Sequence, residues 1–153
     1  MRYSIDTSAI LHAWRRSYPP EVFPSLWKKF DELIERGDLL ATEEVLRELE
    51  KKDDEVHEWV KRRQHMIVPI DVRIQEVVST ILASHKKLLD TRKNRSGADP
   101  FVIALAVIRD CTVVTNEAPT SSPSRPNIPD VCSALGVRSI DVLGLIREQR
   151  WVI

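Results

Sequence analysis

The sequence predicts an α/β fold in which helices pack on a mostly parallel sheet. Short apolar segments rich in β-branched residues alternate with longer segments whose apolar residues recur at helical spacing. Strands that alternate with helices in this way are joined by crossover helices and form an α/β sandwich. Because the 153-residue chain shows neither an internal repeat nor a linker, we expect a single domain over residues 1–153.

The first half of the chain is expected to contain two strands and several helices. Gly37 suits the end of one helix and Thr42 suits the N-cap of the next. In chain order, the expected elements are a strand at about 3–6, a helix starting at Thr7-Ser8, a helix over about 21–36, a strand at about 38–41, a helix after Thr42 and a short helical face at about 56–60.

The second half is expected to contain a buried helix flanked by strands. Asp99 suits an N-cap, Pro100 suits the first helical position, and the residues up to Ile108 are apolar nearly all round. The expected elements are an extended segment at about 66–70, a helix over about 71–89, a basic loop at 90–97, the buried helix, a central strand at 111–115, a surface loop at 118–129, a strand at 137–140 and a final helix over about 141–149.

The overall charge excludes a protein that binds nucleic acid through a strongly basic surface. Lysine plus arginine number 23, as do aspartate plus glutamate, so any contact with nucleic acid must be local. No apolar run approaches the roughly 18 residues that span a bilayer, and the first residues lack the apolar stretch of a signal peptide. We therefore expect a cytoplasmic protein.

The cysteine and histidine residues do not predict a zinc site. Cys111 and Cys132 lack CxxC spacing and are expected to be reduced and structural, and the four histidines are scattered along the chain. Any metal ion is therefore expected to bind to carboxylates, which are the ligands preferred by Mg²⁺ and Mn²⁺.

Three carboxylates fall beyond the carboxyl ends of predicted strands or at the start of a helix. Asp6 ends the first strand, Glu117 follows the strand at 111–115, and Asp99 opens the buried helix, where the helix dipole favours an anion. Each also has a plainer interpretation, because Asp6 and Asp99 suit turns or N-caps and Glu117 suits a solvated loop. Their joint placement favours a common site.

Glu48 is the candidate acid on the helix after Thr42. Successive helical residues advance by roughly 100°, which places Glu48 roughly 105° from the centre of the apolar stripe between Val45 and Leu49. A carboxylate at this border can enter a cleft. The alternative is an exposed side chain that pairs with Lys51 or Lys52.

Four acidic blocks occur in an order and spacing that resembles the PIN-domain nuclease family. These blocks are residues 4–8 (SIDTS), 42–49 (TEEVLREL), 99–106 (DPFVIALA) and 113–117 (VVTNE). Residues 23–27 (FPSLW) and 128–132 (IPDVC) resemble a bacterial and archaeal PIN-like subgroup related to VapC-type toxins. Together these segments extend over nearly the whole chain.

The resemblance implies a three-layer α/β/α sandwich with about four or five strands. It also implies that Asp6, Glu48 and Asp99 hold one or two Mg²⁺ or Mn²⁺ ions, with Glu117 as the fourth acid, where many family members carry aspartate. The function implied is a metal-dependent endoribonuclease that hydrolyses RNA phosphodiester bonds as the toxin of a type II toxin-antitoxin pair, with an antitoxin partner and a homodimeric assembly.

Two other classes of function remain open. A noncatalytic PIN-like RNA-binding or regulatory protein would keep the scaffold without efficient chemistry, and a DNA nuclease or phosphatase would use much the same acids. Further candidate residues have both a functional and a local structural interpretation. They are Asp130 as an additional metal ligand or a helix cap, Thr7, Ser8 and Asn116 as groups that orient substrate or an acid, and Lys86, Lys87, Arg92, Lys93 and Arg95 as contacts for a phosphate backbone.

Overall fold

A five-stranded, entirely parallel sheet forms the centre of the computed structural model, which describes residues 1–86 and 97–153. The strand order is β3-β2-β1-β4-β5, and every neighbouring pair is parallel. The strands are β1 (Arg2–Ile5), β2 (Leu39–Thr42), β3 (Ile67–Val68), β4 (Cys111–Val114) and β5 (Ser139–Ile140). The predicted α/β class is confirmed, and the sheet is parallel throughout.

Helices flank this sheet, as in a three-layer α/β/α sandwich. They are α1 (Thr7–His12), which continues into a π-helical turn (Ala13–Ser17), α2 (Pro24–Glu35), α3 (Glu43–Lys52), α4 (Asp54–Lys61), α5 (Val72–Ser84), α6 (Asp99–Arg109), α7 (Ile128–Leu135) and α8 (Val142–Glu148). The Thr42 hydroxyl accepts from the Val45 amide, which confirms the predicted N-cap of α3. Of the described helices, none is long and apolar enough to cross a membrane.

The register between β1 and β4 determines where the candidate site lies. Ile5 is paired with Val114, so these two strands end side by side. The Asp6 amide then donates to the Val114 carbonyl at 2.9 Å. Consequently the first residues beyond the two strands, Asp6 and Thr115, are neighbours at the carboxyl edge of the sheet.

Several predicted boundaries are wrong by a few residues. Ala98 is the N-cap of α6, which places Asp99 at the first helical position and Pro100 at the second. The strands predicted at 66–70 and 137–140 shorten to β3 and β5, since an edge strand pairs on one side only and has less backbone hydrogen bonding to extend it. The helix predicted to reach residue 89 ends at Ser84, with His85 as its C-cap, and residues 87–96 lie outside the described part of the chain.

The core contains the central strands, α6 and a group of aromatic side chains. Trp14, Trp27 and Trp59 meet edge to face, with ring centroids 5.0 to 6.4 Å apart, a geometry that stabilises aromatic packing. Cys111 and Cys132 are both buried and free, which confirms their structural interpretation. A rigid core of this kind holds the ends of β1 and β4 in place.

Candidate active site

Asp6 and Thr115 form the buried centre of the site. Asp6 is 3% exposed and Thr115 is 2% exposed. The Thr115 hydroxyl donates to Asp6 Oδ2 at 2.6 Å, across 109 positions of sequence. The sequence analysis did not select Thr115. The signal was present, because Thr115 directly follows β4 just as Asp6 directly follows β1.

The Asp6 carboxylate accepts further hydrogen bonds from α1. The Ser8 hydroxyl lies 2.9 Å from Oδ1 and 3.0 Å from Oδ2, and the Ala9 amide donates to Oδ1 at 2.8 Å. Asp6 is therefore the N-cap of α1, so the capping interpretation and a place in the site both hold. The helix begins at Thr7, which confirms the start expected at Thr7-Ser8.

Burial makes the charged form of Asp6 costly in spite of these bonds. Desolvation raises the pKa of Asp6 from 3.8 to about 7, against the opposing effect of hydrogen bonds from Thr115, Ala9 and Ser8. The negative charge of Glu117 adds to the rise. A nearby cation would reverse this penalty.

Glu48 enters the site from α3. Its side chain is half-buried, as the border position on the helix predicts, and Oε1 accepts a hydrogen bond from the Thr7 hydroxyl. Burial raises the pKa of Glu48, while the Thr7 bond, the Lys52 charge and the Ala98 amide lower it. Oε2 is buried and has no hydrogen-bond partner of ordinary geometry in the described chain. One buried oxygen of Glu48 thus lacks a hydrogen bond of ordinary geometry.

Asp99 lies on the neighbouring element. It is 8% exposed at the first position of α6, where the helix dipole stabilises an anion. The effect of the Ala98 amide on Glu48 places the start of α6 against α3. Across residues 1–86 and 97–153, however, no three His, Cys, Asp or Glu side chains lie close enough together to form a metal-binding group. The acids therefore surround one edge without converging on a single point.

Glu117 contacts the start of α7. Its Oε1 accepts from the Ile128 amide at 2.9 Å, and its own amide donates to the Thr115 hydroxyl at 3.1 Å. The fourth acid of the resemblance is therefore half-buried and hydrogen-bonded, in contrast to the solvated loop residue that its position alone would suggest.

Asp130 stabilises the surface loop and the start of α7. It is the third residue of a capping box with Asn127, and it accepts amide hydrogen bonds from Ser121 at 2.9 Å and Asn127 at 2.7 Å. Burial acts to raise the pKa of Asp130, but the bonds from Thr120, Asn127 and Ser121 outweigh it and lower the pKa to about 2. The helix-cap interpretation accounts for this residue without a metal ion.

Of the remaining candidates, some hydrogen-bond to the acids and the others have no described contact with an acid of the site. The hydroxyls of Thr7 and Ser8 bind Glu48 and Asp6, whereas the Asn116 side chain is exposed and only its amide contacts the Ser8 hydroxyl, at 3.1 Å. Lys86 lines a cavity of about 700 Å³ between the end of α5 and the loop before α7. Lys87, Arg92, Lys93 and Arg95 lie outside the described residues.

The five-stranded parallel topology is that of a PIN-like fold, similar to the folds of VapC-related structures. VapBC2 from Rickettsia felis, in a crystal structure bound to a DNA fragment from their promoter, is similar with a TM-score of 0.58 and 14% sequence identity, over 92% of this chain and 98% of that chain. FitAcB from Neisseria gonorrhoeae is similar with a TM-score of 0.53 and 17% identity, over 92% of this chain and 96% of that chain. At these identities the similarity establishes the fold.

The chain belongs to the DUF4411 family, a domain of unknown function, whose family model matches residues 3–153. The sequence has no significant match among curated proteins. The resemblance to PIN-like, VapC-related proteins is confirmed at the level of fold.

Proposed function

We propose that this protein is a divalent-metal-dependent endoribonuclease that hydrolyses RNA phosphodiester bonds. The observation that carries this proposal is the burial of Asp6 and Glu48 together at the carboxyl edge of the sheet. The pKa of each carboxyl is raised by that burial, and Glu48 Oε2 has no hydrogen-bond partner of ordinary geometry among the described residues. Carboxylates kept in such surroundings favour a bound cation.

The side chains present suit a hard cation. We assign one or two Mg²⁺ or Mn²⁺ ions to Asp6, Glu48 and Asp99, because these ions prefer carboxylate and water oxygens. The three side chains do not converge in the described residues, so binding would require them to turn toward a common point. When bound, such an ion lowers the pKa of a water nucleophile and neutralises phosphate oxygens. Asp130 is left out of this set because its oxygens are occupied by loop amides.

The hydroxyl groups around the acids orient them. Thr115 and Ser8 hold the Asp6 carboxylate from two sides, and Thr7 holds Glu48. Since the donors lie directly after β4 and on α1, which pack in the core, the acids keep a defined position before substrate arrives. This pre-organisation is what a nuclease with little covalent chemistry requires.

The proposed substrate is single-stranded RNA bound through local basic groups. The equal number of acidic and basic residues argues against a broad electrostatic surface. Lys86 and His85 line the cavity of about 700 Å³ beside the loop that Glu117 and Asp130 hold. Exposed bases in single-stranded segments are the usual targets of sequence-specific RNA recognition.

The proposed biological setting is a toxin-antitoxin pair. The fold similarity to VapBC2 supports an antitoxin partner. We propose in addition that the antitoxin covers the acidic edge and that this chain assembles as a homodimer. An adjacent gene for a small DNA-binding protein would support this setting, and copurification of that protein with this chain would test it.

The decisive experiment compares the wild type with Asp6→Asn and Asp99→Asn. Both variants are expected to lose Mg²⁺- or Mn²⁺-dependent cleavage of RNA while keeping the circular dichroism spectrum of the wild type. A parallel set of DNA oligonucleotides and a phosphate monoester distinguishes the ribonuclease from a DNA nuclease or phosphatase. Full RNA cleavage by both variants would exclude the proposed site.

A second candidate function is a noncatalytic PIN-like protein that binds RNA or regulates a partner. Two observations favour it: Asp6 already accepts hydrogen bonds on both oxygens, and the described residues contain no group of three acids placed as metal ligands. Purified protein, freed from partners, that neither binds Mn²⁺ in calorimetry nor cuts any RNA would establish this function in place of the nuclease.

A further inference from the structure

We infer that Glu117 is a positioning residue that couples the 118–127 loop and α7 to Asp6, and that it is not a metal ligand. The inference rests on the proposed function, since it concerns the acid that the family resemblance would add to the metal site. It is carried by two hydrogen bonds of Glu117. The side chain accepts from the Ile128 amide at the start of α7, and the backbone amide donates to Thr115, which contacts Asp6.

The first contact occupies one oxygen of the Glu117 carboxylate. Glu117 Oε1 accepts from the Ile128 amide at 2.9 Å, and Ile128 is the first residue of α7 and fully buried. Amides in the first turn of a helix have no partner within the helix, so a buried one needs an acceptor from elsewhere. A negative charge at this end is also favoured by the helix dipole.

The second contact connects Glu117 to Asp6 through Thr115. The Glu117 amide donates to the Thr115 hydroxyl at 3.1 Å, and that hydroxyl donates its own proton to Asp6 Oδ2 at 2.6 Å. The Thr115 hydroxyl thus accepts from Glu117 and donates to Asp6, so the two hydrogen bonds form a continuous series. The position of α7 is therefore coupled to the orientation of the Asp6 carboxylate.

The loop held in this way forms one side of the cavity of about 700 Å³. Asn127 Nδ2 donates to the Ala118 carbonyl at 2.8 Å, which closes the loop upon itself, and Asp130 binds the amides within it. The other side of the cavity includes Ser84 and Lys86. Loss of the Glu117 contact is expected to loosen this side and to weaken RNA binding more than the chemical step.

The side-chain length of Glu117 agrees with this role. An aspartate is one methylene shorter, so Glu117→Asp would draw the carboxylate back from the Ile128 amide. Glutamine keeps both the length and an acceptor oxygen. Glu117→Gln therefore preserves the contact and removes the charge, whereas Glu117→Ala removes both.

Two measurements that do not depend on activity test the inference. Mn²⁺ titration calorimetry is expected to give Glu117→Gln an affinity within about twofold of the wild type, while Asp99→Asn loses at least about tenfold. Amide hydrogen exchange at Ile128 is expected to rise at least about tenfold in Glu117→Ala and to return to the wild-type rate in Glu117→Gln. Glu50→Gln, an exposed change on α3, is the control.

RNA kinetics then report the positioning effect. In Glu117→Ala the KM for RNA is expected to rise more than kcat falls, and Glu117→Gln is expected to restore the KM. An Mn²⁺ affinity lost as severely in Glu117→Gln as in Asp99→Asn would make Glu117 a ligand, and unchanged exchange at Ile128 in Glu117→Ala would exclude the positioning contact. If Asp99→Asn keeps wild-type Mn²⁺ affinity, the proposed metal site fails, while the exchange data still decide the role of Glu117.

Discussion

Replacing Asp6 with asparagine separates the electrostatic cost of this carboxylate from its capping role. Asparagine has nearly the same shape, is as good an N-cap as aspartate and cannot ionise. Its side-chain oxygen can accept from Ala9, and its amide can donate to the Thr115 hydroxyl. The variant is therefore expected to keep α1 and the contact with β4 while losing the buried charge.

The size of the effect follows from the pKa of Asp6. Burial raises this pKa from 3.8 to about 7, so the folded protein holds a proton over this range that the unfolded chain has released. The free energy of unfolding of the wild type should therefore fall as pH rises from about 4 to about 7 and stay level above. At 1.36 kcal/mol per pH unit, the loss is at most about 4 kcal/mol.

Urea unfolding followed by tryptophan fluorescence measures this effect, because three of the four tryptophans pack together in the core. The difference in unfolding free energy between Asp6→Asn and the wild type should be small at pH 4 and should favour the variant at pH 8. Added Mn²⁺ should stabilise the wild type at pH 8, by about 2.7 kcal/mol at one hundred times its Kd, and leave the variant unchanged. A difference that is independent of pH would refute the reasoning.

Three further substitutions test separate parts of the site. Thr115→Val removes the donor to buried Asp6 and should lower the free energy of unfolding at pH 8 by about 1–3 kcal/mol in urea unfolding. Thr115→Ser should restore the stability, and a valine variant as stable as the wild type would contradict the contact. Glu48→Gln should weaken Mn²⁺ binding at least about tenfold in calorimetry, whereas Glu50→Gln should not, and equal affinities would remove Glu48 from the site. Lys86→Ala, measured by fluorescence anisotropy in EDTA, should lower RNA affinity and reduce the slope of log K against log salt by about 1, and an unchanged slope would exclude a phosphate contact.

Local sequence patterns predicted the elements that carry the acids. An aspartate after a short apolar strand and another at the start of an apolar helix place Asp6 and Asp99 at one edge of any parallel sheet. Helical periodicity likewise predicted that Glu48 would sit at the border between the buried and exposed faces of α3, and its side chain is half-buried. These predictions succeeded because each depends on spacing within about one or two turns of chain.

The contacts between the acids could not be predicted in this way. Thr115 meets Asp6 because β1 and β4 are adjacent and in register, and the pattern of either strand does not specify its neighbour. Asp130 was left between two interpretations until the structure placed it in a capping box that also binds the loop amides. Whether an acid such as Asp130 binds a metal ion or accepts structural hydrogen bonds depends on which backbone amides the fold places beside it.

By itself, then, the sequence determined the α/β class, the helix that presents Glu48 and the placement of Asp6 and Asp99 at strand and helix ends, since periodicity and capping are local properties of the chain. Only the tertiary structure decided that Asp6 is buried against Thr115 and that Glu117 reaches the Ile128 amide. Burial and hydrogen-bond partners come from segments distant in sequence, and they set both the pKa of Asp6 and the direction in which Glu117 points.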